Sequence, residues 1–348
     1  MQNQTFLDAC WQRPTDYTPV WYMRQAGRYQ PEYRKIREKY SLLEICRIPE
    51  VCAEVTKLPV SQLGVDAAIL FSDISVPIGA MGRNFDIQEN VGPVMEHPIR
   101  TETDIAQLQV FDPREALPYV LDTIMMLKAD LEVPLIGFAG APFTLASYMV
   151  EGGPSRDYIQ TKQMMWKTPA LWNSLMDKLT TMTVKYLRAQ IEAGASAVQL
   201  FDSWVGALSP ADYRKYVLPV MKRIFTELKD LQVPTIYFGV GTGELLQDFT
   251  ETGAHVIGVD WRVPLSEARK RIGLDHAIQG NLDPAAALTS GAVTEEKTKQ
   301  IIDAGIEHPG HIFNLGHGVL RSTPVENLQR LTALVHEYSA KVKSEVKR

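Results

Sequence analysis

The sequence is poor in cysteine and carries no excess of positive charge, and each shortage excludes a class of protein. Its three cysteines, Cys10, Cys46 and Cys52, are odd in number, and none follows Cys52 in the 348 residues. This usage indicates a reducing compartment and argues against a disulfide framework. The formal net charge of −5 argues against nucleic-acid binding, which usually requires a basic face.

Long apolar runs are lacking as well. The segment 1–14 has no apolar core of the kind a secretory signal contains, so we expect no such signal. The longest uncharged stretch, 134–150, is short for a membrane span and is interrupted by Gly137, Gly140 and Pro142. We therefore expect a cytoplasmic protein that contacts neither membrane nor nucleic acid.

The chain does contain short apolar runs that alternate with longer amphipathic segments. The runs are almost continuous in Val, Ile, Leu and Phe, which is typical of parallel strands covered on both faces. They are 19–23, 67–71, 134–138, 197–201, 234–238, 255–259, 276–279 and 311–315. Eight such strands alternating with helices predict an α/β protein with a (β/α)8 TIM barrel and its active site at the C-terminal face of the strands. A doubly wound open sheet is the alternative.

The segments between the runs carry helix signals. The predicted helices are 169–193 ended by Gly194, 210–231 capped by Ser209, 264–272 ended by Gly273, and 324–343 with Thr323 in the cap position and Glu326 three residues later. The segment 83–99 is instead rich in Asn, Gly and Pro, and it predicts a small hairpin over the barrel mouth. No linker or charge block divides the chain, so we expect a single domain over residues 1–348.

The most distinctive local pattern is a pair of arginines around a glycine. Arg24 and Arg28 flank Gly27 directly after the run 19–23. Guanidinium groups are always charged, and their planar fork of donors fits a carboxylate or phosphate. Glycine lets the backbone turn sharply or come close to a ligand. The pattern predicts a clamp for a polyanionic small molecule, with a surface salt bridge as the alternative.

Further candidates follow other predicted strands, where barrel enzymes place their functional groups. Asp73 follows the second run and alternatively caps a helix, while Tyr148 is alternatively a core ring. His317 lies between Gly316 and Gly318, which indicates close approach of a ligand or of another backbone segment. Together with Ser203 and aromatic neighbours such as Phe201, these residues predict a pocket for a flat, partly apolar molecule that bears several carboxylates. The histidines are scattered and no cysteine lies near them, so we predict no metal site.

Five segments resemble the uroporphyrinogen decarboxylase family, and they occur in the family's order. They are PVWYMRQAGRY at 19–29, DAAILFSDI at 66–74, GAPFT with YMVEG at 140–152, QLFDS at 199–203 and FNLGHG at 313–318. The first of these is a specific family signature. The sequence Trp204-Val205-Gly206 departs from the residues that relatives often carry after the serine, which concerns the shape of that wall.

The resemblance implies a somewhat distorted barrel, a homodimer whose clefts face each other, and no cofactor. It implies removal of CO2 from the four acetate arms of uroporphyrinogen III to give coproporphyrinogen III in haem and tetrapyrrole synthesis. Protonation of the pyrrole supplies the electron sink, and Asp73 would stabilise the resulting cation. The candidate catalytic residues are Asp73, Arg28 and Tyr148. The candidate substrate contacts are Arg24, Gln25, Ala26, Gly27, Arg28, Asp73, Tyr148, Phe201, Ser203 and His317.

Two alternatives remain open at this point. One is a corrinoid-dependent methyltransferase of the same superfamily, which uses zinc held by His and Cys late in the chain. The lack of any cysteine after Cys52 argues against it. The other is a non-catalytic barrel that binds tetrapyrroles.

Overall fold

The computed structural model describes residues 3–88, 92–289 and 291–346. The strands in these ranges are β1 (Ala68–Ile69), β2 (Phe85–Gln88), β3 (Gly92–Met95), β4 (Leu135–Gly140), β5 (Ala197–Asp202), β6 (Thr235–Gly239), β7 (Val256–Gly258), β8 (Ala277–Gln279) and β9 (His311–Ile312). The helices in the same ranges are α1 (Thr5–Cys10), α2 (Pro31–Arg37), α3 (Leu42–Arg47), α4 (Pro49–Leu63), α5 (Val76–Ala80), α6 (Glu102–Ala106), α7 (Pro113–Ala116), α8 (Pro118–Asp130), α9 (Pro142–Glu151), α10 (Ile159–Lys167), α11 (Pro169–Ala193), α12 (Pro210–Tyr216), α13 (Leu218–Leu228), α14 (Leu246–Thr250), α15 (Leu265–Ile272), α16 (Ala292–Ile306) and α17 (Val325–Val346). Short 3-10 turns lie at Val205–Ala207, Lys229–Leu231, Gly243–Leu245 and Pro284–Leu288.

Seven of the described strands form one parallel sheet in the order β1-β4-β5-β6-β7-β8-β9. Val20 connects the two edges of this sheet. It forms a parallel bridge with Phe313, just after β9, and its carbonyl accepts a hydrogen bond from the amide of Asp66, just before β1, at 2.8 Å. The (β/α)8 TIM barrel is thereby confirmed in a distorted form.

The first predicted strand, 19–23, is reduced to this single bridge, so its prediction as a full strand is wrong. The physical reason is that side chains satisfy its later backbone donors. The amide of Tyr22 donates to Gln25 Oε1 at 3.1 Å, and the amide of Met23 donates to Asn314 Oδ1 at 3.1 Å. Buried backbone groups require partners, but apolarity alone does not reveal whether a strand or a side chain provides them.

Close packing of helix against sheet fixes the wall of the barrel at β4. Gln190 of α11 bonds both backbone groups of Phe138, with each N···O distance 2.9 Å. A Cβ on the neighbouring Gly137 would lie 2.6 Å from Gln190 Oε1. The glycine therefore lets the helix approach the strand closely enough for this pair of bonds.

The helix predictions are confirmed in most places. The helix 169–193 is α11 with the predicted bounds, and Ser209 accepts the amide of Asp212 as the predicted cap of α12. The predicted helix 210–231 is divided at Val217 into α12 and α13, because Pro219 in the first turn of α13 has no amide to continue the ladder. Thr323 is not a cap, since its Oγ1 is buried without a partner in the described ranges. No helix in those ranges is long and apolar enough to cross a membrane.

The hairpin predicted within 83–99 is confirmed. Strands β2 and β3 pair antiparallel, while residues 89–91 between them lie outside the described residues. The base of the hairpin joins the end of α9, since the amide of Met95 donates to the carbonyl of Gly152 at 2.8 Å. This contact connects the hairpin to the helix that carries Tyr148.

Candidate active site

The candidate residues follow the carboxyl ends of five neighbouring segments of the barrel. The loop 24–28 follows the bridge at Val20, Asp73 follows β1, Tyr148 lies on the helix after β4, Phe201 and Ser203 lie at the end of β5, and His317 follows β9. Parallel strands end at the same rim of a barrel, so the fold brings these segments to one mouth.

Arg24 lies against the loop that carries His317. It has a φ of 59°, which places it in the left-handed region that few residues other than glycine adopt. Its aliphatic stem covers Gly318, where a Cβ would lie 2.4 Å from Arg24 Cδ. The amide of Val319 donates to the carbonyl of Met23 at 2.8 Å and holds the two loops together. Glycine at 318 thus leaves the space that the arginine side chain occupies in this position.

His317 is neutral in this setting. Burial lowers its pKa to about 4, and the positive charges of Arg24 and Arg262 act in the same direction. Its Nδ1 accepts a hydrogen bond from the amide of Gly318 at 2.7 Å, so the bond assigns the proton to Nε2. A Cβ on Gly316 would lie 2.3 Å from the amide nitrogen of Trp261. Another backbone segment therefore explains the first flanking glycine, and Arg24 explains the second.

Asp73 is half-buried and has one oxygen engaged locally. Its Oδ1 accepts the amide of Ser75 at 2.9 Å and also the hydroxyl of Ser75. Ser75, and not Asp73, is the N-cap residue of α5, and no described side chain bonds the free amides of that helix, so the alternative in which Asp73 caps a helix is wrong. No described residue donates a hydrogen bond to Oδ2. The carboxylate is therefore oriented by the turn while one oxygen stays open to a ligand.

Tyr148 lies close enough to both Asp73 and Arg24 for their charges to act on it. Burial raises the pKa of Tyr148, the negative charge of Asp73 raises it further, and the positive charge of Arg24 opposes them. The phenol is consequently a hydrogen-bond donor at neutral pH. Its ring lies 3.8 Å from the indole of Trp204, with 32° between the planes. Tyr148, Asp73, Arg24 and, through Arg24, His317 form one cluster.

The end of β5 divides its side chains between the barrel interior and the helix layer. Phe201 points inward, where its ring lies 5.4 Å from that of Phe138 and 6.1 Å from that of Phe238. Ser203 is half-buried beside it. Asp202 is fully buried on the other side, and desolvation raises its pKa to about 6. This alternation follows from the period of two in a strand.

The loop 24–28 contributes more than a pair of charges. The side chain of Gln25 is fully buried and bonds backbone groups, with Nε2 donating to the carbonyl of Ala67 at 3.1 Å. Ala26 packs beside the small cluster around Tyr33. The amide of Gly27 donates to Gln30 Oε1 at 3.0 Å. The side chain of Gln25 thus holds the loop to the start of β1 and does not face the mouth.

Arg28 lies near Tyr33, which is on the helix α2 that follows the loop. Burial raises the pKa of Tyr33, and the positive charge of Arg28 counteracts this shift. The ring of Tyr33 lies 5.5 Å from that of Phe71 at the end of β1. Arg24 thus lies against the His317 loop, and Arg28 lies near a ring that packs at the end of β1. Two guanidinium groups in one loop suit a ligand that bears several carboxylates.

Two further groups near the mouth were not among the predicted site residues. Trp204 packs on Tyr148, although the sequence marked it only as a departure from related chains. Arg262 lies over the ring of Trp261, with 4.0 Å between its Cζ and the ring centroid, and its guanidinium bonds the buried carboxylate of Asp260 at 2.5 Å. The position of Arg262 four residues after the end of β7 was the available signal. Within the described ranges, no group of three or more His, Cys, Asp or Glu is placed to hold a metal ion.

Comparison with known proteins identifies the family of this chain. The family model described as uroporphyrinogen decarboxylase (URO-D) matches residues 1–338. The chain belongs to this family. Among curated relatives, the uroporphyrinogen decarboxylase of Bacillus cytotoxicus is 55% identical over 97% of both chains. That of Geobacillus kaustophilus is 56% identical over 97% of this chain and 98% of its own. The expected carboxy-lyase of porphyrin synthesis is thereby confirmed.

Solved structures support the fold. A methyltransferase from Methanosarcina mazei has a TM-score of 0.81 at 21% identity and covers 97% of this chain and 98% of its own. A B12-independent methionine synthase from Shewanella has a TM-score of 0.56 at 10% identity over 85% of this chain and 88% of its own. At these identities the likeness shows a shared barrel and carries no statement about chemistry.

Proposed function

We propose that the mouth of this barrel binds uroporphyrinogen III and converts its four acetate arms to methyl groups, giving coproporphyrinogen III without a cofactor. The observation that carries the proposal is the single cluster of Asp73, Tyr148 and Arg24 beyond the carboxyl ends of the strands, with Arg28 in the same loop as Arg24. A flat macrocycle with carboxylates on its rim and pyrrole N–H groups at its centre matches that distribution of charge.

The chemistry needs only protons and electrostatic stabilisation. Protonation of a pyrrole carbon next to the one that bears the acetate gives a cationic ring. The bond from the arm to its carboxylate then breaks, CO2 leaves, and the electron pair neutralises the ring. A proton adds to the resulting exocyclic carbon while the ring proton is lost. Each turn of the reaction consumes one proton and converts one CH2–COO⁻ group to a methyl group and CO2.

In this scheme Asp73 stabilises the cationic ring. The bonds from Ser75 hold one carboxylate oxygen, and the open Oδ2 faces the pyrrole N–H groups and the positive charge that develops. A carboxylate oriented before the reaction needs no reorganisation when the charge appears, which is the source of electrostatic catalysis.

The remaining residues hold the rim of the macrocycle. Arg24 and Arg28 bind carboxylates, and Arg28 holds the reacting arm. Tyr148 and neutral His317, through its Nε2–H, donate hydrogen bonds to further arms. Ser203 is the remaining polar contact for the substrate. The inward-facing ring of Phe201 provides an apolar surface for the macrocycle.

We also propose a cytoplasmic homodimer whose two mouths face each other. Two large apolar side chains are exposed at positions that follow residues of the mouth in the sequence. Leu320 follows the His317 loop, and Ile159 follows Tyr158. Their burial between two copies would remove apolar surface from water. Sedimentation velocity should show a dimer at micromolar concentration, and Leu320→Glu should shift it towards monomer. Cell fractionation tests the compartment.

A product assay tests the proposed function. The purified protein is incubated with uroporphyrinogen III in the absence of oxygen, and the products are oxidised and separated by chromatography. We expect successive loss of carboxylates that ends at coproporphyrin. Binding of the substrate without any product would indicate a non-catalytic barrel instead, and stoichiometric zinc in an inactive preparation would favour the methyltransferase alternative.

A further inference from the structure

Trp204 is the central ring of three aromatic side chains at the mouth. Its indole lies 3.8 Å from the ring of Tyr148 and 5.2 Å from that of Tyr158. The hydroxyl of Tyr148 has no hydrogen-bond partner among the described residues. Because no bond fixes the phenol, packing against Trp204 is what selects its orientation at the mouth.

The backbone of Trp204 is itself anchored to the helix that carries Tyr148. Its amide donates to Thr144 Oγ1 at 3.2 Å, and the Thr144 hydroxyl donates to Asp202 Oδ1 at 2.6 Å. Thr144 and Tyr148 are four residues apart in α9, so they lie one above the other on the same face. Trp204 therefore contacts two successive turns of α9, one through its amide and one through its ring.

The anchor continues into the next strand. Asp202 Oδ2 accepts the hydroxyl of Tyr237 at 2.8 Å, and the Tyr237 ring is stacked on Phe249 at 4.1 Å. Asp202, Thr144 and Tyr237 are all fully buried. Satisfied buried networks of this kind are rigid, so the amide of Trp204 is tied to a part of the protein that does not adapt.

We propose that Trp204, held by the hydroxyl of Thr144, is a positioning residue that fixes the Tyr148 ring for decarboxylation without touching the reacting atoms. The inference rests on the proposed function, in which Tyr148 contacts the substrate. A buried network, an anchored backbone amide and a tilted ring contact form a continuous path from β6 to the phenol. Loss of the indole frees the phenol to rotate away from the substrate arm, and small misplacements of this kind are costly to rate.

The test compares Trp204→Leu, which removes the ring, with Trp204→Phe, which retains one. We expect Trp204→Leu to lower kcat about tenfold with little change in KM, and Trp204→Phe to restore most of that loss. In a Tyr148→Phe background the same Trp204→Leu change should cost less than about twofold, because the group it positions is gone. Equal losses in both backgrounds would overturn the proposal, as would full activity of Trp204→Leu.

A substrate-free measurement separates this inference from the proposed function. A tryptophan and a tyrosine ring at this distance produce a near-ultraviolet circular dichroism band, which both Trp204→Leu and Tyr148→Leu should remove. Trp204→Met serves as a second variant should the leucine variant unfold. An unchanged band refutes the ring contact whatever the enzyme does. Wild-type protein that shows the band but forms no coproporphyrinogen refutes the proposed function, and with it the role of Trp204 in catalysis.

Discussion

Replacing Gly318 with alanine tests the arginine clamp without substituting either arginine. The new Cβ would lie 2.4 Å from Cδ, 2.7 Å from Cγ and 3.1 Å from Cβ of Arg24. The φ of Gly318 lies outside the left-handed region, so the space around it decides the outcome. Cδ and Cγ of Arg24 can move away by rotation about the side-chain bonds, and the contact with its Cβ needs an adjustment of only a few tenths of an ångström, so the protein can fold if the arginine side chain is displaced. We therefore expect a folded protein with a displaced guanidinium.

The size of the effect follows from the interaction that is lost. A charge-assisted hydrogen bond contributes about 1.5–3 kcal/mol, which corresponds to a loss of substrate affinity of about 10-fold to 150-fold. The matched variant Gly316→Ala meets backbone and not a side chain, because its Cβ would lie 2.3 Å from the backbone nitrogen of Trp261. A backbone cannot move aside as a side chain can, so we expect that variant to fold poorly.

The assay measures substrate affinity together with thermal unfolding. Gly318→Ala should bind weakly at near-normal stability, and Arg24→Gln should weaken binding to a similar degree. The double variant should be no weaker than either single variant, because both remove the same contact. Normal affinity in folded Gly318→Ala would refute the position assigned to Arg24 in the clamp.

Three further predictions concern binding and stability. Added salt should weaken substrate binding, because carboxylate clamps at an open mouth are screened, and an affinity that is constant with ionic strength would contradict the clamp. Burial lowers the pKa of His311 from 6.5 to about 4, so the unfolded state binds the proton more readily than the folded state. The free energy of unfolding should therefore fall as the pH drops from 6.5 to 4, and in denaturant titrations His311→Gln should remove about 3 kcal/mol of this pH dependence. Gln25→Leu should lower the free energy of unfolding by about 2–6 kcal/mol, because two buried backbone groups lose their partner; a smaller loss would show that water replaces the amide.

Much of the fold was predictable because parallel strands buried on both faces are apolar throughout. The runs at 134–138 and 197–201 became β4 and β5 almost residue for residue. The run 19–23 looked equally strong but became a bridge, since its partners are side chains distant in sequence. The break at Val217 is signalled in the sequence only by Pro219, a single proline inside an otherwise helical pattern. The prediction of one domain stays a prediction, and a single cooperative unfolding transition is expected for it.

The site was predictable to the extent that its residues follow strand ends. The glycines around His317 correctly indicated close approach, although their partners, Trp261 and Arg24, lie far away in sequence. Gln25 belongs to the motif at 24–28 but was wrongly interpreted from it, because its side chain faces the interior and bonds backbone groups that hold the loop in place. Trp204 shows the complementary limit, because its contact with Tyr148 depends on how two consecutive βα units pack and no local pattern encodes it.

The central claim is that the carboxylate of Asp73 stabilises a cationic pyrrole during loss of CO2. Asp73→Asn keeps the size of the side chain and removes its charge, so the rate of coproporphyrinogen formation by this variant tests the claim most directly. We predict a loss of about a hundredfold to a thousandfold in kcat in a protein that still folds and binds the substrate. Turnover close to that of the wild type would contradict the account.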